Sequence, residues 1–90
     1  MASAATRVLR LDRRSRMANV ELDCGGLSCP VPIVRISRAM KELASGDTLT
    51  VTASDPSFQA DVEAWVRKMG HHLDSFAETD GTQTAVIRHA

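Results

Sequence analysis

Two thiols, Cys24 and Cys29, are the side chains of this 90-residue sequence that best offer covalent chemistry. Cys29 heads the motif Cys29-Pro30-Val31-Pro32, placed between the glycine pair Gly25-Gly26 and an amphipathic run that begins at Ile33. Two prolines two apart would break a helix interior, but the first turn of a helix has N–H groups with no intrahelical acceptor and tolerates them. The motif therefore reads as a helix start, with Cys29 as the N-cap and Pro30 at the first helical position. That location puts the sulfur at the positive end of the helix macrodipole, where a thiolate is stabilised. A free thiol titrates near ~8.5, and values of roughly 3.5–7.5 occur at helix N-termini or beside cations, so Cys29 is expected to be partly ionised at neutral pH. Pro30 and Pro32 remove two donors and leave Val31 as the nearest free first-turn N–H, which makes the expected activation moderate.

Cys24, at the end of a strand pattern and before two glycines, reads as a packing residue pointing into the core. Cys24 and Cys29 have four residues between them, and His71, His72 and His89 supply no second ligand cluster, so no metal and no cofactor is expected. His71 follows Gly70 and reads as a partner of a helix C-terminus rather than as a general base. Arg35 and Arg38, three apart on one helix face, have two readings: a solvated face, or a docking patch beside the sulfur.

The elements that must position Cys29 follow from hydrophobic periodicity. Val20 and Leu22 alternate with Asn19, Glu21 and Asp23 in a half-buried strand that ends at the glycine turn. Ile33, Ile36, Met40 and Leu43 recur at helical spacing up to Ser45-Gly46-Asp47. Thr48 to Ala53 alternates threonine with apolar residues, a strand with one wet face. Asp55-Pro56 repeats the pattern of Cys29-Pro30, with Asp55 as the expected N-cap of a second helix whose stripe is Phe58, Val62, Trp65, Val66 and Met69, closed by Gly70. Trp65 reads as core. Leu73–Glu78 and Thr82–His89 flank Asp80-Gly81, a two-residue hairpin signal. The order strand–helix–strand–helix–strand–strand gives a two-layer α/β sandwich, βαβαββ, with two helices on one face of a four-stranded mixed sheet.

Residues 1–18 differ in composition, with Arg7, Arg10, Arg13, Arg14 and Arg16 opposed by Asp12 alone. They read as an appendage to a domain at 19–90: a disordered tail, extraneous residues upstream of Met17, or a transit-type segment. Eleven basic and eleven acidic side chains cancel, which removes any general attraction to nucleic acid or anionic membrane. Three aromatic side chains and no tyrosine leave no stacking platform for bases. No apolar run approaches the roughly 18–20 residues of a membrane span, no signal-peptide core is visible, and a cytoplasmic, thiol-preserving location is expected. A chain this short leaves little room for an internal cavity, so its chemistry should lie at the surface.

The block Leu22-Asp23-Cys24-Gly25-Gly26-Leu27-Ser28-Cys29-Pro30-Val31-Pro32, continued by Arg35, Gly46-Asp47, Asp55-Pro56 and Gly70-His71, resembles the TusA (SirA-like) family over roughly residues 19–89. The resemblance implies a small protein whose motif cysteine, Cys29, carries sulfane sulfur as a persulfide, with Gly26, Leu27, Pro30, Pro32, Asp55 and Pro56 as supporting motif positions. It also implies protein partners: a sulfur donor of desulfurase, rhodanese-like or DsrE-like type, or a reduced sulfur compound, and an acceptor protein. Val31 stands where the family's tRNA-thiolation branch has an acidic residue and Ser28 where a basic one often precedes the cysteine, so the rim of the site is expected to be less charged. The alternative is a regulatory interaction module on the same fold that uses Cys29 at most as a redox sensor.

Overall fold

The computed structural model describes residues 5–12 and 17–90, with side chains from Ala18 onward. Its elements are β1 (Ala5–Asp12), β2 (Met17–Cys24), α1 (Val31–Lys41), β3 (Thr48–Ala53), α2 (Phe58–Met69), β4 (His72–Thr79) and β5 (Thr82–Arg88). The strands form one sheet in the order β1-β2-β3-β5-β4, in which β2 and β3 are parallel and the other neighbours antiparallel. From β2 onward this is the βαβαββ arrangement with a four-stranded mixed sheet that the periodicity implies.

The core follows from the alternation of the strands. Val20, Leu22 and Cys24 of β2, Leu49, Val51 and Ala53 of β3, and Ala85 and Ile87 of β5 are buried, and they share one face of the sheet. Ile36 and Met40 of α1 and Phe58, Val62 and Val66 of α2 pack onto that face in the same cluster. Trp65, expected in the core, is partly buried and packs against it. The threonines of β3 are half-buried on the other face. Two residues depart from the expected helical stripes. Met69 is 51% exposed, because α2 ends there and Gly70 turns the chain away in the left-handed conformation (φ +77°). Leu43 lies beyond the end of α1 and still packs against the core from the connection.

β1 is an addition to the sequence reading. It pairs with β2 antiparallel, with Ala5 opposite Asp23 and Asp12 opposite Met17, so the sheet has five strands and this one falls within the stretch expected to be a tail. The arginines dominate the composition there and mask a strand-compatible run. Without this strand β2 would be an open edge whose unpaired N–H and C=O groups invite a partner. Of the rest of that expected tail, Met17 and Ala18 already belong to β2, and residues 1–4 and 13–16 lie outside the described residues.

The parallel pairing of β2 with β3 is what builds a site. It sets Cys24 beside Ala53, so the segments that follow, Gly25–Pro30 and Ser54–Ser57, leave the sheet at the same end. In open α/β sheets the carboxyl ends of parallel strands are where βα connections gather functional groups.

The described side chains of β2, β3, β5 and the two helices form one continuous core, so deletion of residues 1–16 should preserve the far-UV circular dichroism signature of the α/β core and lower its melting temperature by only a few degrees. Loss of the cooperative transition on truncation would contradict this division of the chain.

Candidate functional site

Cys29 is exposed and Cys24 is buried, and both are free thiols. The connection between them is held at four points. Leu27 N–H donates to Cys24 O at 3.2 Å, closing the turn at Gly25-Gly26. Asp23 Oδ1 accepts from Gly25 N–H (2.9 Å) and from Thr52 Oγ1 (3.3 Å), and Ser54 Oγ accepts from Gly26 N–H (3.0 Å). Asp55 Oδ2 accepts from Cys29 N–H at 2.5 Å. Gly26 adopts φ +80°, a conformation glycine reaches without the strain a Cβ brings, and a Cβ on Gly25 would lie 3.1 Å from Asp23 Oδ1.

Asp55 does more than the expected capping. Its Oδ1 accepts from Ser57 N–H (3.0 Å) and Ser57 Oγ (3.1 Å), leaving Oδ2 for Cys29. Its own carbonyl accepts from Phe58 N–H (3.0 Å) and from Nε2 of the buried Gln83 (2.7 Å). The helix itself begins later than the sequence pattern indicates: the N-cap is Ser57, and Asp55-Pro56 form the turn that leads to it. The reason is that the Asp55 side chain is divided between the helix start and the cysteine loop. These hydrogen bonds from Ser57 and Cys29 hold the Asp55 carboxyl below the ordinary carboxylate range.

The start of α1 also differs from its expected form. The N-cap position is Pro30, following a cis Cys29–Pro30 peptide, and Pro32 occupies the first turn. Cys29 therefore sits one residue ahead of the cap. Val31 N–H, the donor that periodicity left for the sulfur, is used by Ser28 O at 2.9 Å. The expected lowering of the Cys29 pKa is overturned: the thiol is pushed up from its ordinary value. The largest cause is hydrogen bonding to the Asp61 carboxylate, followed by loss of solvent and the negative charges of Asp61 and Asp55, against a downward pull from the Ser57 hydroxyl. The rim is accordingly not short of charge. Val31 and Ser28 are neutral, but α2 contributes Asp61 from its first turn and Ser57 from its cap, residues that periodicity alone assigns to a solvated helix start. The signal that could have singled them out is their four-residue spacing after Asp55-Pro56, combined with the parallel pairing of the strands that precede each helix.

Cys24 points into the core with no exposed surface, as its place in the strand pattern requires. Burial foremost, then Asp23, raises its pKa to about 11, with Arg35 acting in the opposite sense. His71 lies apart from the sulfur. Its ring stacks on Trp65 (5.4 Å between centroids), lies 4.6 Å from the His89 ring, and accepts the Ala90 N–H on Nδ1 at 3.1 Å. Desolvation and the neighbouring histidines His89 and His72 hold its pKa below the ordinary histidine value. Among the described residues no group of three or more His, Cys, Asp or Glu side chains is arranged to hold a metal ion. On α1, Arg35 is half-buried and Arg38 exposed, beside Val31 (38% exposed) and Val34 (45% exposed) on the same stretch of helix.

A displayed, tethered thiol at the carboxyl ends of two parallel strands is the geometry against which the chain's relatives can be judged. The family model for sulfurtransferase TusA matches residues 20–89, which is most of the chain and includes both helices and the cysteine loop. The chain belongs to the TusA family. A Neisseria meningitidis protein provisionally named a sulfur carrier is 42% identical over 73 residues, covering 81% of this chain and 99% of that one. The sulfur carrier protein TusA of Pseudomonas entomophila is 39% identical over 67 residues, covering 74% and 84%. Among solved structures, a SirA-like protein from Desulfitobacterium hafniense superposes with a TM-score of 0.69 at 26% identity, over 76% of this chain and 93% of that one. In this TusA-family chain no described helix is long and apolar enough to cross a membrane.

The Asp55 tether gives a direct prediction. Because its carboxyl pKa is depressed, the tether is present above the ordinary carboxylate range and is lost only as pH falls through the lowered value. The Cys29 amide resonance should titrate with that low midpoint, and Asp55→Ala should abolish the titration and speed exchange of the Cys29 N–H. A Cys29 amide insensitive to both changes would contradict the tether.

Proposed function

We propose that the protein is a sulfur carrier in which Cys29 takes sulfane sulfur as a persulfide from a donor and delivers it to an acceptor protein. The observation that carries this reading is the exposed Cys29 thiol, pinned through its backbone N–H to Asp55 in a chain of the TusA family. A cysteine kept only for packing belongs where Cys24 is, and a tethered loop at the surface is what a bulky protein partner can reach.

In the loading step the Cys29 thiolate attacks the outer sulfur of a donor persulfide. A new S–S bond forms on Cys29, the donor's S–S bond breaks, and the donor leaves as a thiolate that takes up a proton from solvent. Delivery repeats the exchange with an acceptor thiolate attacking the outer sulfur of the Cys29 persulfide. Neither step needs a metal or a redox cofactor. The backbone around Gly26, Leu27, Pro30 and Pro32 supports the display, and Asp55 with Pro56 supplies the tether. We assign partner docking to α1 beside the sulfur, where Val31 and Val34 expose apolar surface and Arg35 and Arg38 add positive charge that suits an acidic partner face. Donor and acceptor are defined by this chemistry: one offers sulfane sulfur, in a persulfide or in a reduced sulfur compound that already contains an S–S bond, and the other a reactive thiolate.

Incubation with polysulfide, followed by intact and peptide mass spectrometry, should show one added sulfur on the Cys29 peptide in wild type and none in Cys29→Ser, a variant that should remain folded. Reversal of charge at Arg35 and Arg38 should slow transfer to or from a protein partner and leave polysulfide loading unchanged. Sulfur on Cys24 in the Cys29→Ser variant, or a Cys24–Cys29 disulfide as the main wild-type product, would favour a redox pair over a carrier.

A further inference from the structure

Gly70-His71 is the part of the sequence pattern that the sulfur site leaves unused, and it stands at the other end of the sheet. β5 runs antiparallel to β3, so Arg88 lies opposite Thr48, where β3 begins, while the cysteine loop lies beyond Ala53, where β3 ends. His89 is fixed there through its backbone: its N–H donates to Asp47 O at 2.8 Å and its carbonyl accepts from Gly46 N–H at 2.9 Å. The next residue is held by side chains. Ala90 N–H donates to His71 Nδ1 at 3.1 Å, and Ala90 O lies 2.7 Å from His89 Nδ1. These two contacts dictate opposite tautomers. A ring nitrogen that accepts an N–H carries no proton, so neutral His71 has its proton on Nε2, whereas an oxygen only accepts, so His89 has a proton on Nδ1. His89 can gain a second proton on Nε2 and keep its bond. His71 cannot, because the lone pair that a proton would take is the one that holds Ala90.

We propose that His71 and His89 form an acid-opened clasp on Ala90, closed while His71 is neutral and released when a proton from solvent occupies its Nδ1. On release the Ala90 N–H and the new Nδ1–H both turn to water. The groups around the ring set the balance. Its partial burial opposes a charge, as do His89, 4.6 Å away between centroids, and His72, next in the chain. Arg67 of α2 and Arg88 of β5 line the same depression as His71 and act in the same sense. Glu63 of α2 and Asp74 of β4 line it too and favour the cation, although Asp74 is paired with Arg88 at 3.3 Å. The stacked Trp65 ring, the carbonyl end of α2 and the Ala90 oxygen on His89 also favour positive charge. Asp47 contributes its backbone here, its carboxylate being taken by the N–H groups of Ala18 and Ala44. Loss of solvent foremost, then His89 and His72, hold the His71 pKa below the ordinary histidine value. The clasp is therefore closed above the ordinary value and gives way as pH falls below it toward the lowered midpoint. β5 keeps its bonds to β3 and to the Gly46-Asp47 turn, so opening is confined to this end of the molecule and is independent of sulfur transfer.

The test is a titration of the full chain from about pH 8 to about pH 4, a range that spans the histidine charge change. Long-range 1H–15N correlation spectra read the tautomer and midpoint of His71. The Ala90 amide shift and the fluorescence of Trp65, the single tryptophan, on which the His71 ring stacks, report the release. Wild-type His71 should be the Nε2–H tautomer at neutral pH and titrate below the ordinary value of about 6.5, with Ala90 and Trp65 responding at the same midpoint. His71→Asn, which keeps an acceptor near the Nδ1 position but takes up no proton, should remove the Trp65 response. His89→Asn should raise the His71 midpoint, because a neighbouring positive charge is gone. Far-UV circular dichroism should stay constant across that midpoint. An Nδ1–H tautomer at His71, a Trp65 response that persists in His71→Asn, or a midpoint that His89→Asn leaves unchanged or lowers would overturn the proposal. Loss of the far-UV signal at the same midpoint would do so too, since it marks acid unfolding of the whole chain rather than release of a clasp. The tautomer and the shared midpoint are read on the wild type, so a variant that fails to fold leaves the test decisive.

Discussion

The arrangement depends on one carboxylate. Asp55 gives one oxygen to Ser57 and the other to the backbone N–H of Cys29, while its carbonyl is held by Gln83 of β5 and by the first residue of α2. Three parts of the molecule are thereby joined at a point: the helix start, the sheet end and the cysteine loop. Hydrogen bonds to an ionised acceptor are the stronger kind, and this one has its geometry fixed from both sides. The loop can therefore present a sulfur to solvent without dissolving into alternative conformations.

The topology decides why a tether is possible between residues 26 positions apart. β2 and β3 are parallel and adjacent, so the connection after each leaves the sheet at the same end, and α1 and α2 pack on the same face. The strand alternation that buries Cys24 also fixes where the chain must turn outward. Five residues later, beyond the glycine turn, Cys29 has left the core altogether. The two thiols differ in position before they differ in chemistry.

Much of this was legible in the sequence, because hydrophobic periodicity reports directly on which face of an element is buried. The alternation of Thr48 to Ala53 gave β3 with its observed bounds, and Asp80-Gly81 gave the hairpin, in which both residues have positive φ. Cys24 was assignable to the core from its register alone. Less was legible where side chains of distant segments meet. The proline motif identified a helix start but placed the cap one residue early, and the macrodipole argument for a depressed Cys29 pKa omitted Asp61, whose proximity follows from the fold and not from spacing along the chain. The same limit applied to Asp55: its sequence context signals a cap, and only the pairing of β2 with β3 shows that half of its carboxylate serves the other loop. β1 was obscured for a different reason, since a strand that completes an existing edge needs no strong pattern of its own.

This fold divides its two thiols, displaying Cys29 and storing Cys24. Alkylation of the native protein with a small thiol reagent, quenched before and after denaturation and read by peptide mass spectrometry, measures this directly. Cys29 should be labelled in the native state and Cys24 only once the chain is unfolded. Native labelling of Cys24 at a rate comparable to Cys29, or a Cys29 that stays unlabelled until denaturation, would contradict it.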